Sequence, residues 1–325
     1  MSTAVTNYMA LPTISRRVRA YFAPVNRVQQ LPSIFDPSQN GQFALDTPPS
    51  PWIDLGWIEN FVRKSSSTIS AFNSGIPSIA QYQVREAVGA TVSFRFKVWS
   101  KLSMALAAGS QHMNLIQPES NVAAGASGAK GIAAVSVQAG STATNIVLNP
   151  SDTASFAAGS MIAVDADYAG QTGFVGSGVS AAYVRSAAAV NNDPDYIRRV
   201  TFNVARVSQV SANGLQLAQP LIAGAPAATM KVQPILGFVD REGGSFFQEW
   251  SAVFVMPGEQ GERLIFHYPR LQAMQSSLEG AEPLAAPIER IALDASFRAL
   301  PVTDSNDGET AVCFRSFLPG NAALL

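Results

Sequence analysis

The chain has 325 residues, of which 47% are hydrophobic and 14% are charged. So much apolar sequence supports a real core and excludes disorder across most of the chain. An average soluble domain is about 25% charged, so a surface this poor in charge favours association with other subunits. The net charge of −1 argues against a protein that coats nucleic acid.

Residues 1–50 show weak periodicity. Six prolines interrupt this segment, too often for a helix longer than a turn or two. The segment also holds large apolar side chains, among them Tyr21, Phe22 and Phe35, which would be exposed to water on a free arm. We therefore expect an extended N-terminal arm that becomes ordered by lying across a neighbouring subunit.

A half-buried strand and a short helix are predicted in residues 51–120. From Thr91 to Val98 apolar and polar residues alternate, which places Val92, Phe94, Phe96 and Val98 on the inner face. Arg95 and Lys97 fall on the opposite face and form a candidate basic row. The following residues, 99–108, have helical spacing and good helix formers, and Gly109 ends the pattern.

Residues 121–236 differ in composition from the rest of the chain. They begin with an Ala/Gly/Ser-rich stretch and continue with short apolar runs poor in charge. Strands are predicted at 145–148 and 161–164, and a hairpin over 199–221 is expected to turn at Asn213-Gly214. We interpret 121–236 as a small β-domain inserted into the main domain.

Longer strands return after residue 236. Residues 246–256 and 264–268 flank a glycine-containing turn, which indicates a long hairpin. Residues 290–300 alternate apolar and polar, and 310–317 supply a last strand. The prediction is an all-β protein with one or two short helices, whose main domain is discontinuous (51–120 and 237–325).

The sequence shows no motif for catalysis. Its two histidines, His112 and His267, lie far apart, and no serine has the surroundings of an activated nucleophile. The one cysteine, Cys313, excludes an intrachain disulfide and a thiolate zinc site. We expect no catalytic residue, no metal and no cofactor, and the chain has no apolar run long enough for a membrane span.

Charge is unevenly distributed along the chain. Residues 1–130 carry eleven Lys or Arg and six Asp or Glu, whereas residues 237–325 carry six and twelve. One interpretation is chance. The other is a particle that stacks head to tail, with a positive face on a negative face.

Two stretches resemble the tail tube (major tail) proteins of tailed bacteriophages. The first, residues 53–116, begins IDLGWIENFVRKSSSTIS and continues to VSFRFKVWSKLSMALAAG. The second, residues 244–317, joins GSFFQEWSAVFVMPGEQGERLIFHYPRLQ to IERIALDASFRALPVTDSNDGETAVCFRSF. Their order of strands, short helix and closing hairpin is similar to that family over about half of the chain.

The resemblance implies a tail-tube-like β-sandwich or barrel that forms hexameric rings. Such rings stack into a hollow tube around the tape measure protein, join the tail terminator and the baseplate or tip proteins, and later let DNA pass without specific binding. It implies a location in the virion tail, after assembly in the bacterial host cytoplasm. The arm and long hairpins would bridge rings, and the insert would decorate the outside. Candidate acids for a lumen or ring-stacking face are Asp240, Glu242 and Glu249.

Two other classes of function stay open at this point. One is a virion surface or baseplate protein whose insert binds a receptor or glycan, which predicts a discrete complex rather than an open-ended tube. The other is a carbohydrate-active enzyme with a carboxylate pair that the sequence does not single out.

Overall fold

The structure, a computed structural model, describes most of the chain. The described residues are 17–26, 29–117, 131–165, 171–174, 181–185, 202–241, 248–259, 261–274, 279–285 and 288–320. Side chains are described in these ranges except at 111, 171–174, 181–185, 241, 279–285 and 288–291. Residues 1–16 of the predicted arm and the Ala/Gly/Ser stretch up to 130 lie outside the described part.

Two α-helices, one 3₁₀ helix and nineteen strands make up the regular structure of the described residues. In the first part of the chain these are β1 Val18–Pro24, α1 Pro37–Asn40, β2 Ile53–Ser74, β3 Ile79–Phe96, α2 Lys101–Ala108 and β4 Gln111–Ile116. The middle part holds β5 Val135–Ser136, β6 Asn145–Val147, a 3₁₀ helix Pro150–Ser155, β7 Met161–Val164, β8 Gln171–Phe174, β9 Ala181–Arg185, β10 Val204–Ser211, β11 Gly214–Leu217 and β12 Lys231–Arg241. The last part holds β13 Glu249–Pro257, β14 Arg263–Ala273, β15 Glu279–Ala285, β16 Ile288–Ala299, β17 Val302–Thr303, β18 Thr310–Ala311 and β19 Phe314–Leu318. The prediction of an all-β fold with a few short helices is confirmed.

Eight strands form a sheet that closes into a barrel. Their order is β15-β16-β3-β2-β1-β13-β14-β19, and β14 also pairs with β16. That extra pairing joins residues 271–273 to 297–299, so six antiparallel strands form a ring while β15 and β19 extend it as edges. The extra pairing covers the segments of β14 and β16 that β19 and β15 leave unpaired.

The barrel interior is filled by aromatic and aliphatic side chains. Phe22 is fully buried at its centre and contacts the rings of Phe94, Trp250, Phe254 and Phe297 at centroid distances of 5.4–6.3 Å. The predicted inward row of β3 is confirmed for residues 92, 94 and 96, which are all buried. It is wrong for Val98, which lies beyond the strand and is 66% exposed.

The expectation of an arm over residues 1–50 is wrong for β1. This strand lies between β2 and β13 in the middle of the barrel sheet, and its residues are buried on both faces. The outer face is covered by this chain's own residues, because Tyr21 packs with Phe35, Trp52 and Val253 in a second apolar cluster. No neighbouring subunit is needed to cover these side chains.

The second sheet contains the predicted insert and extends beyond it on both sides. Its strand order is β6-β11-β10-β7-β12-β4-β9-β8, and β5 pairs with β12. Both β4 and β12 belong to it, so this unit spans about 111–241 rather than 121–236. Its own core includes Ile146, Ile162, Val207 and Leu215.

Local signals for helix α2 agree with the structure. Ser100 accepts a hydrogen bond from the amide of Ser103, whose side chain in turn accepts one from the Ser100 amide. Gly109 follows in the left-handed region at φ 63°. The predicted helix therefore forms, and it begins at Lys101 because the cap is Ser100 rather than a residue before it.

The hairpin β10–β11 has a different turn from the expected one. Ser211 pairs with Gly214, so the two turn residues are Ala212 and Asn213. Gly214 is needed for another reason: a Cβ there would lie 2.2 Å from the carbonyl oxygen of Ile146. The glycine permits close pairing with strand β6 rather than making the turn.

Candidate assembly surface

A long hairpin formed by β2 and β3 extends past the end of the barrel. Strand β1 pairs with β2 only over residues 53–58, and β16 pairs with β3 only over 90–96. The residues between pair with each other out to Ser74 and Ile79. From Lys64 to Gly89 every residue except Ser70 is exposed, so this segment, here called the projecting hairpin, reaches about 30 Å beyond the barrel.

The projecting hairpin carries large apolar side chains on an otherwise polar ribbon. Phe72 and Tyr82 stack across the two strands with ring centroids 4.9 Å apart, and each is at least half exposed. Ile76 at the turn is fully exposed. The other exposed aliphatic residues are Ile69, Ile79, Val84 and Val88. A two-stranded ribbon is marginal by itself in water, and apolar exposure of this kind marks an interaction surface.

A groove on the outside of the barrel offers a second apolar surface. It encloses about 480 Å³ between residues 30–37, the loop 302–306 and strand β19. Leu31 and Ile34 on its wall are 59% and 62% exposed. His267 lies at its base, buried against the rings of Trp52 and Phe314.

The predicted basic row on β3 is neutralised within the chain. Arg95 donates to both carboxylate oxygens of Asp294, at 2.7 and 3.0 Å, from the position directly opposite on β16. Lys97 lies 3.3 Å from a carboxylate oxygen of Glu59 on β2. These are cross-strand pairs on the barrel wall, so the row presents alternating charge rather than a positive face.

The three candidate acids do not form one exposed face in the described structure. Glu249 is buried and binds Arg270, which neutralises its charge inside the barrel wall. It is therefore not available as an acid of a lumen or ring-stacking face. Asp240 is half-buried and accepts a hydrogen bond from Ser110. Glu242 lies outside the described residues.

A buried polar cluster lies where helix α2 meets the second sheet. Lys101 Nζ donates to Asn114 Oδ1 at 2.6 Å and lies 5.6 Å from the ring centroid of Phe202. Burial lowers the pKa of Lys101 to about 7. Burial, and then the neighbouring Lys101, hold the pKa of His112 well below its usual range. His112 stacks on Phe202 at 4.5 Å, so this cluster joins the two units of the chain.

His267 has the structural role that its position between apolar residues indicates. Its Nε2 lies 3.3 Å from the carbonyl oxygen of Ser33, and burial lowers its pKa to about 4. The ring stays neutral near pH 7 and fixes segment 29–37 against the barrel.

The described ranges lack metal-binding clusters and membrane-spanning helices. They contain no group of three or more His, Cys, Asp or Glu side chains that would hold a metal ion. No helix within them is long and apolar enough to cross a membrane.

The projecting hairpin was missed by the sequence reasoning, although a signal was present. Residues 61–74 are rich in Ser, residues 79–90 carry Ile, Tyr and Val between polar and small residues, and Gly75-Ile-Pro-Ser78 separates the two runs with turn-forming residues. Neither run shows a continuous apolar face, because the hairpin has no buried face.

Comparison with protein-family models and with curated proteins finds no match to this chain.

Proposed function

We propose that this protein is a structural subunit that assembles into stacked, hexameric rings and forms the hollow tail tube of a tailed bacteriophage. The observation that carries the proposal is the projecting hairpin, which continues out of a closed barrel and exposes apolar residues on a paired ribbon. Such a ribbon gains stability when another copy covers it.

The closed barrel supports a repeating subunit. In the described barrel sheet the free edges are those of β15, β19 and the projecting hairpin, so contacts between copies concentrate on these edges and the groove. When the hairpin of each copy contacts the groove of the next in head-to-tail order, the contact is heterologous and generates rings or filaments.

The other assignments follow from the tube. Its partners are further copies of itself, the tape measure protein, the tail terminator and baseplate or tip proteins, and DNA passes only in non-specific transit. Its place is the virion tail, after assembly in the host cytoplasm. A catalytic role, a cofactor and a membrane association are not part of the proposal.

Negative-stain electron microscopy of the purified protein at low and high concentration tests the proposal. We expect hollow filaments or rings of uniform width that become more abundant with concentration. Small monodisperse particles at every concentration would contradict the tube and favour a surface or baseplate protein.

A shortened variant provides the matched control. Ser67 and Val88 face each other in the hairpin, so residues 68–87 can be replaced by Asn-Gly, which closes a two-residue turn. We expect this variant to fold and to form no filaments. Filaments of normal width from the variant would remove the hairpin from the assembly mechanism.

A further inference from the structure

A pocket lined by arginines lies where the projecting hairpin leaves the barrel. It encloses about 330 Å³ beside Arg63, Arg85 and Arg315, together with the hydroxyl-bearing Ser65, Ser66 and Ser67. None of its described lining residues is an Asp or Glu. Three like charges around one cavity attract an anionic group, and arginine forks are suited to carboxylates.

Within the pocket, one arginine is held in place and two are exposed. Arg63 Nε donates to the Tyr268 hydroxyl at 3.0 Å, and its guanidinium lies 5.0 Å from the ring centroid of Phe266. Arg85 on β3 and Arg315 on β19 are exposed. The pocket therefore combines a fixed positive wall with two side chains that can close on a ligand.

The same chain carries an exposed acidic turn between β17 and β18. Its acids are Asp304, Asp307 and Glu309, and no Lys or Arg occurs from 299 to 314. The Asp304 carboxylate accepts from the amide of Asn306, and that of Asp307 accepts from the amide of Glu309, both at 2.9 Å. The turn is thus ordered before any contact with a partner.

The pocket and the acidic turn lie on opposite faces of strand β19. Cys313 and Arg315 line the pocket, whereas Phe314 and Ser316 line the groove that also contains Asp304. Alternate residues of a strand point to opposite faces. Residues 304–306 of the turn therefore lie on the groove side of β19, and no residue of the turn lines the arginine pocket of its own chain.

We infer that the acidic turn 304–309 of one copy docks into the arginine pocket of the next copy. The inference rests on the proposed self-assembly and names one contact within it. When the turn of each copy enters the pocket of the next in head-to-tail order, the contact is heterologous and repeats from copy to copy. Its ligand chemistry is carboxylate on guanidinium, which fixes orientation as well as adding attraction.

Charge reversal with reciprocal rescue tests this contact. Sedimentation velocity is measured for the full chain, for Arg315→Glu, for Asp307→Arg, for the double variant and for an equimolar mixture of the two single variants. We expect each single variant to weaken self-association by about tenfold or more. The double variant and the mixture should return to within about threefold of the wild type, because each reversed turn then meets a reversed pocket.

Matched controls separate this contact from general charge effects. Arg298→Glu reverses an exposed arginine outside the pocket, and Glu259→Arg reverses an exposed acid outside the turn. Both should associate like the wild type. Weakening by Arg315→Glu but not by Asp307→Arg would overturn the inference and indicate another anion, such as a nucleic acid phosphate.

Failure of this contact and failure of the tube give different results. Tubes from the wild type and from both single variants alike would overturn the contact and leave the tube. Rescue within a discrete complex would support the contact and overturn the tube. A wild type that stays monomeric at every concentration would overturn both.

Discussion

Arg270 binds Glu249 inside the barrel wall through two parallel hydrogen bonds. Nε lies 2.8 Å from one carboxylate oxygen and Nη2 lies 3.1 Å from the other. Gln272 donates to the same carboxylate at 3.1 Å. Both side chains of the ion pair are largely buried, at 13% and 5% exposed, so the pair is shielded from the water that screens surface pairs.

Removing one partner of this pair is expected to destabilise the fold. Glu249→Gln leaves the Arg270 guanidinium buried without its counter-charge, which costs about 3–5 kcal/mol. Urea unfolding at pH 7 measures the change. Asp294→Asn is the control, because it breaks a similar but more exposed pair with Arg95 and should cost about 1 kcal/mol or less. Equal losses for both variants would contradict the role of burial.

Lys101 should make stability depend on pH in the alkaline range. Its pKa is about 7 in the folded chain and 10.5 ordinarily. Between these values the unfolded chain binds a proton that the folded chain does not, so stability rises with pH by about 1.4 kcal/mol per unit. Below about pH 7 both states are protonated and this contribution is constant. Lys101→Met should remove the slope when unfolding free energies are compared from pH 7 to 10.

Lys231→Met provides the matched control for that titration, because Lys231 is exposed. It should keep the slope of the wild type. A Lys101→Met variant with an unchanged slope would show that another group titrates.

Substitutions in the projecting hairpin should separate assembly from folding. Phe72→Ser and Ile76→Ser change exposed side chains, so the unfolding free energy should move by about 0.5 kcal/mol or less. Each should weaken self-association by about tenfold or more, because burying such a side chain is worth about 1.5–3 kcal/mol. Light scattering against concentration measures assembly. Leu236→Ser, exposed in the second sheet, should leave it unchanged, and equal effects at all three positions would contradict a specific role for the hairpin.

Two strand glycines should respond differently to alanine. Gly214→Ala places a methyl group against the backbone of Ile146 and should cost about 1–3 kcal/mol. Gly237→Ala meets nothing within 4 Å and should be nearly neutral. Thermal unfolding of both variants checks the difference. A stable Gly214→Ala protein would mean that β6 and β11 separate without loss.

Elements with one buried and one exposed face were predictable from sequence. Strand β1, which is buried on both faces, and the projecting hairpin, which has no buried face, were not. The alternation before Phe96 indicates a strand, and the capping residues around α2 indicate a helix, from neighbouring residues alone. Strand β1 lacks alternation because its outer face is covered by this chain's segment 29–45, so it resembles an irregular apolar run. Barrel closure depends on a pairing of three residues between β14 and β16, which no local pattern marks.

The candidate site was less predictable, because charge alone does not show pairing. Arg95 and Glu249 are prominent charges in sequence, but each meets an opposite charge across neighbouring strands. The arginine pocket brings together residues as distant in sequence as Arg63 and Arg315. Barrel closure, and no local pattern, places them side by side. The projecting hairpin is polar at most positions, so hydrophobic periodicity does not reveal its length.

Hydrogen–deuterium exchange tests the central claim, that another copy covers the projecting hairpin. Amide exchange in residues 64–89 is compared between dilute monomer and concentrated assembly, with β10 and β11 of the second sheet as internal references. The account predicts slower exchange by about tenfold or more in the hairpin of the assembly, with little change in the references. Equal exchange of the hairpin in both states, in a sample that contains filaments, would contradict it.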